Sequence, residues 1–167
     1  GRRPGTLTPH RDDPLDTMPS PRFAIAAALL LAVAGAIAAP KATLRVQDAW
    51  SRATPPVAPV AGGCLTVVNE GDRPDVLLGA ESDLSQRVEL HEMRMDGGMM
   101  RMRELTDGLP VPARGKVVLA PGGYHLMFIK PKRALVEGER FTATLRFRDA
   151  GKVTTTFTVR GMGAGAH

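Results

Sequence analysis

Apolar and polar residues alternate with a period of two along much of this chain. That period describes strands with one buried face. It runs through "ATLRVQDAW" at 42–50, through the β-rich "GGCLTVVN" at 62–69, and, after the turn cluster "EGDRPD", through "DVLLGAE" at 75–81. "RVELHEM" at 87–93 and "KVVLAPGGYHLMFIK" at 116–130 follow. Near the end, "RFTATLRFRDAGKVTTTFTVR" at 140–160 holds two alternating runs around Asp149-Ala150-Gly151, which predicts a hairpin. No stretch after residue 39 sustains a helical period. Seven or more short strands joined by turns predict an all-β fold, a Greek-key antiparallel sandwich or barrel.

One segment breaks the pattern. From Phe23 to Ala39 the chain reads "FAIAAALLLAVAGAIAA", 17 residues without a charge. Arg22 precedes it and Ala36-Ile37-Ala38 supplies small residues at its end. A positive flank, a short apolar run and a small-residue step describe a secretory signal peptide over 18–39. The run falls short of the ~20 residues a spanning helix needs. Residues 1–17 precede Met18 and read as an upstream extension outside the native structure. The remaining divisions are a β-sandwich domain over 40–160 and a flexible tail over 161–167. The protein is thereby expected outside the cytoplasm, with no membrane contact beyond the signal segment.

The formal net charge is +5 without a basic run, and there is one Trp and one Tyr. Nothing here resembles a nucleic-acid surface. Cys64 is the single cysteine, so no internal disulfide forms, and its apolar run reads as a strand burying a small hydrophobe. No Cys-x-x-Cys is present, and the chain does not read as an enzyme.

The candidate chemistry lies in methionine and histidine. Five of eight methionines fall between Met93 and Met102, in the polar stretch "HEMRMDGGMMRMREL" at 91–105. Alternation puts Val88 and Leu90 on one face, and Arg87, Glu89, His91 and Met93 on the other. In "GYHLMFIK", Tyr124, Leu126 and Phe128 form an apolar face, and His125 and Met127 point away from it. Each segment therefore carries a His and a Met two residues apart, off the core face. Thioether with imidazole suits Cu(I), whereas zinc prefers Cys or carboxylate beside His and calcium takes oxygen. The residues leave a second reading open: a metal-free exported binding module with a Met-rich patch. Arg94, Arg101 and Arg103 are either a guide for an acidic acceptor or a solvated face.

These residues resemble a known family, the periplasmic PCu(A)C copper chaperones. The family pattern is a His, often followed closely by Met, then ten residues, a Met, about twenty-one residues, and His-x-Met. Here ten residues separate His91 from Met102, and 22 separate Met102 from the "HLM" of His125 and Met127. The one-residue excess is assigned to the loop "TDGLPVPARGK". "AWSRATPP" at 49–56, "GGCLTVVNEGDRPDVLLGAES" at 62–82 and "LAPGGYHLMFIKPK" at 119–132 extend the similarity over nearly the whole domain. The resemblance implies a cupredoxin-like (immunoglobulin-like) sandwich that binds Cu(I) through His91, Met102, His125 and Met127. Met93 takes the optional Met position as an alternate ligand. It further implies a monomer that delivers copper in the periplasm to a copper-acceptor protein, a cytochrome c oxidase subunit or assembly factor serving the dinuclear copper site. Met95, Met99 and Met100 lie outside the pattern: they are either spare thioethers near the mouth of the site or residues that pack the hairpin or face solvent, and packing or solvent is the reading assigned to each. Only Met162 and His167 remain for a metal-binding tail.

Overall fold

The computed structural model describes residues 43–165. The signal segment, the upstream extension, Ala36-Ile37-Ala38 and His167 lie outside the described residues. Ten strands form: β1 (Leu44–Arg52), β2 (Val60–Asn69), β3 (Asp75–Glu81), β4 (Arg87–Asp96), β5 (Met99–Glu104), β6 (Leu109–Val111), β7 (Gly115–Leu119), β8 (Tyr124–Ile129), β9 (Arg140–Phe147) and β10 (Gly151–Arg160). No helix occurs among the described residues. The all-β reading holds, and the β9–β10 hairpin turns where Asp149-Ala150-Gly151 predicts it.

The strands form one sheet in the order β5-β4-β8-β7-β2-β1-β10-β9-β3-β6. β8 also pairs with β2, and β3 meets β4 through Ala80 and Val88, so the sheet curls back on itself. Pairing is antiparallel with two exceptions: β1 runs parallel to β10, and β7 touches β8 in parallel. The predominantly antiparallel pairing is the one the strand pattern predicts, and the two parallel contacts add to it. Three further details differ from the alternation. The run at 116–130 is two strands, because the turn at Pro121-Gly122-Gly123 interrupts it. The loop given to 106–116 holds β6, which pairs with β3. β5 has no apolar period, since all six of its residues are exposed.

The core gathers the inward rungs. Phe128, Phe141 and Phe157 pack ring to ring at 5.1–5.6 Å between centroids. Such offset and edge contacts suit the ring quadrupoles. Gly63 of β2 lies against them: a Cβ there would come within 2.8 Å of Phe128 Cε2 and 3.1 Å of Phe157 Cε1. That contact fixes which face of β2 is inside. Leu65 and Val67 follow inward, and Gly62 and Cys64 turn outward.

β1 keeps Leu44 inward, then breaks register between Gln47 and Trp50, with Asp48 at φ 51°. The bulge resets the alternation. Ser51 then faces inward, donating from Oγ to the Gly62 carbonyl at 2.6 Å, and Trp50 swings to the outer face opposite Cys64. Residues 161–165, which composition assigns to a flexible tail, form a turn whose Ala164 carbonyl accepts from Arg52 Nε at 2.6 Å.

Candidate metal centre

β4 and β8 run antiparallel, with Leu90 opposite Leu126 and Val88 opposite Phe128 on the core side. The alternate rungs face outward: Glu89 opposite Met127, and His91 opposite His125. On the other flank of β4, β5 sets Met102 opposite Met93 and Glu104 opposite His91. One outer face of three adjacent strands therefore brings together His91, Met93, Met102, His125 and Met127. The two histidines and Met93 and Met127 are half-buried, and Met102 lies at the exposed rim. The imidazole centroids are 5.9 Å apart.

Each imidazole has one nitrogen committed. His91 Nε2 lies 2.8 Å from Glu89 Oε2, and His125 Nδ1 lies 3.0 Å from the Gly123 carbonyl. Both partners are acceptors, so those nitrogens carry the protons and the opposite nitrogens keep their lone pairs. In His91 the free nitrogen is Nδ1, which is buried and has no hydrogen-bond partner among the described residues. A buried polar atom left unpaired is costly, and a metal ion would satisfy it. Fixing the tautomer from behind, by carboxylate or carbonyl, is the arrangement that orients metal-binding histidines. The donor set available is thus two imidazole nitrogens with neutral thioether sulfurs, a soft set that fits Cu(I).

Alternation puts Glu89 on this face but gives it no task; the structure makes it the partner of His91. It also pairs with Arg87. Ligand atoms of Glu89, His91 and Glu104 lie within 4.8 Å of one another. Glu104 joins only through the β4–β5 register, which the sequence pattern does not reveal.

Cys64 is buried, at 6 % exposure, yet it stands outside the main core cluster. With Trp50, Met93, Pro121, Gly122 and His125 it lines an apolar cavity of about 240 Å³ on the outer face. The expected small buried hydrophobe is therefore next to the candidate centre. Burial pushes its thiol up to about 11, against the pull of Arg52 and Arg160. It is a neutral thiol at neutral pH, and the thiolate is the metal-binding form. Gly62, opposite Met127, leaves open space, with no atom within 4 Å of where a Cβ would stand.

Arg94, Arg101 and Arg103 belong to the reverse face of the hairpin, not to the face that holds His91. Arg101 pairs with Asp96 at 3.2 Å and Arg103 with Glu92 at 2.8 Å. All three are exposed, and two of them are ion-paired on that face.

Residues 44–159 match the family model described as "LpqE-like: Putative lipoprotein LpqE-like". A curated relative, "Putative lipoprotein Lxx21020" of Leifsonia xyli subsp. xyli (strain CTCB07), is 34 % identical over 106 residues, 64 % of this chain. That match spans 63 % of the relative's own length. Among solved structures, the copper-bound PCuAC domain from PmoF2 superposes with a TM-score of 0.60 at 28 % identity, over 71 % of this chain and 93 % of that one. CuI-DR1885 from Deinococcus radiodurans gives 0.58 at 30 % identity, over 80 % and 87 %. The apo PCuAC domain from PmoF1, at 24 % identity and a TM-score of 0.60 over 71 % and 94 %, shares the fold.

Proposed function

The chain belongs to the LpqE-like family, with the fold of PCuAC domains, and on that footing we propose that it is a copper chaperone acting outside the cytoplasm. It holds one Cu(I) through His91, His125, Met102 and Met127, with Met93 as alternate donor. It passes the ion on by ligand exchange. The observation that carries this reading is the outer face of β5-β4-β8. There two histidines stand opposite each other, each with one nitrogen pinned and one free, beside thioethers on the same face.

The chemistry supports release as well as capture. Thioethers are neutral, so the site adds little negative charge and yields Cu(I) to an acceptor that offers thiolate. The rim position of Met102 lets a donor on the acceptor reach the ion before the other bonds break. The acceptor proposed is a cytochrome c oxidase subunit or assembly factor that serves the dinuclear copper site, in the periplasm.

A competitive Cu(I)-chelator titration tests the ligand set. The wild type takes up one equivalent. Met102→Leu and Met127→Leu keep the fold and each lower affinity by more than the roughly 10–100-fold that losing an outer-shell partner costs. Unchanged affinity in both variants overturns the assignment. No copper uptake by the wild type favours a metal-free binding module.

A further inference from the structure

The five methionines of the β4–β5 hairpin are not equivalent, and the register separates them. Gly97 and Gly98, at φ 57° and 81°, form a two-residue turn of the kind that needs positive φ at both positions. Asp96 and Met99 close it. Counting from the turn, Met95 faces Met100, Arg94 faces Arg101, and Met93 faces Met102. Sides alternate with each rung, so Met95 and Met100 share the face of Met93, Met102 and His91, whereas Met99 lies on the reverse face with the arginines. The Met93 amide donates away from β5, to the Gly123 carbonyl at 3.0 Å. The Met93–Met102 rung is therefore of the non-hydrogen-bonded kind, and so is Met95–Met100 two residues further out. In such rungs the two side chains approach most closely, with Cβ atoms about 4.5–5.5 Å apart.

Packing does not account for the outer pair. Met95 is 61 % exposed and Met100 50 %, and neither packs against the core. β8 follows β4 only as far as Glu92 in the ladder, so the hairpin tip projects beyond it. The reverse face of this tip carries ion pairs, as a solvated surface does. The centre's face instead carries four thioethers in two successive rungs, about 6.6–6.8 Å apart.

We propose that Met95 and Met100 form a second, weaker Cu(I) site, an entry rung through which the ion reaches and leaves the His91–His125 centre. The proposal rests on the copper reading of that centre. In the transfer, Cu–S bonds to Met95 and Met100 break as bonds to Met93 and Met102 form. The copper stays Cu(I) and no proton moves. Two neutral sulfurs without imidazole make a weaker site than the centre, which suits a waypoint.

The test uses the whole chain and Cu(I) supplied as a chelator complex. M95L/M100L keeps the one-equivalent affinity of the wild type and loads severalfold more slowly in stopped flow, and M99L loads at the wild-type rate. With methionine methyls labelled for NMR, Cu(I) beyond one equivalent shifts Met95 and Met100 but not Met99. Equal loading rates for M95L/M100L and wild type overturn the entry rung, and leave the pair as a contact for a partner protein. Slowing shared by M99L, or Met95 and Met100 methyls that do not move, also overturns it. A wild type that binds no Cu(I) at one equivalent is the separate failure of the centre itself.

Discussion

Glu89 shows how much one side chain decides. Its carboxylate holds His91 Nε2 and is itself half-buried and paired with Arg87. That bond chooses the His91 tautomer and leaves Nδ1 as the donor. Glu89→Gln keeps the shape but offers an amide whose orientation no longer enforces that choice. The expected result is about a 10-fold loss of Cu(I) affinity, the lower end of what outer-shell partners cost. The same chelator competition checks it, and circular dichroism confirms the fold. The His-x-Met pairs were legible in the sequence because both lie on regular strands, where period-two alternation is reliable. The role of Glu89 was not, because it depends on a rotamer and on neighbours that alternation does not describe. Cys64 was legible as buried, but its position beside His125 depends on the register of β2 against β8.

Single elements were legible where one face is apolar and hidden where both faces are wet. β3 shows in "DVLLGAE" because its more and less buried positions alternate from Asp75 to Gly79, before an irregularity after Leu77 leaves Gly79 and Ala80 both buried. β5, with "MMRMRE" exposed throughout, carries no such signal, and its existence follows from the Gly97-Gly98 turn and its pairing with β4. The bulge in β1 is likewise invisible to a strict alternation, and it alone brings Trp50 to the outer face. β3 also carries a structural carboxylate at its start. Asp75 is buried and accepts from the backbone amides of Val76, Asp149 and Ala150, tying β3 to the β9–β10 turn. Burial alone would raise its carboxyl. The three amides, with Arg148 nearby, outweigh that and hold it below the usual carboxylate range. A depressed folded value contributes stability above the unfolded value, near 3.9, and loses it as pH falls through the folded one. Asp75→Asn is expected to cost about 1.5–3 kcal/mol near neutral pH, the range for hydrogen bonds to a charged group. Urea unfolding across the acid range should show that gap shrinking as Asp75 protonates in the wild type. A gap independent of pH contradicts the account.

Across the molecule, the curled sheet divides labour between its faces. The inner face packs three phenylalanines against Gly63 and fixes the registers of β2, β4 and β8. Those registers, set for core packing, place two histidines and their thioethers on the outer face without help from a long loop. The centre is therefore preorganised by the core, and only Met102 sits on an edge strand free to yield. The parallel β1–β10 pairing joins the two halves of the sheet and brings Trp50 under Arg160, at 4.8 Å from ring centroid to guanidinium carbon. The measurement that tests the central claim most directly is X-ray absorption on the protein loaded with one equivalent of Cu(I). The account predicts a mixed shell of imidazole nitrogen and thioether sulfur, with the sulfur scattering reduced in the M102L/M127L double variant. A shell of nitrogen and oxygen alone, or sulfur scattering undiminished in that double variant, would contradict it.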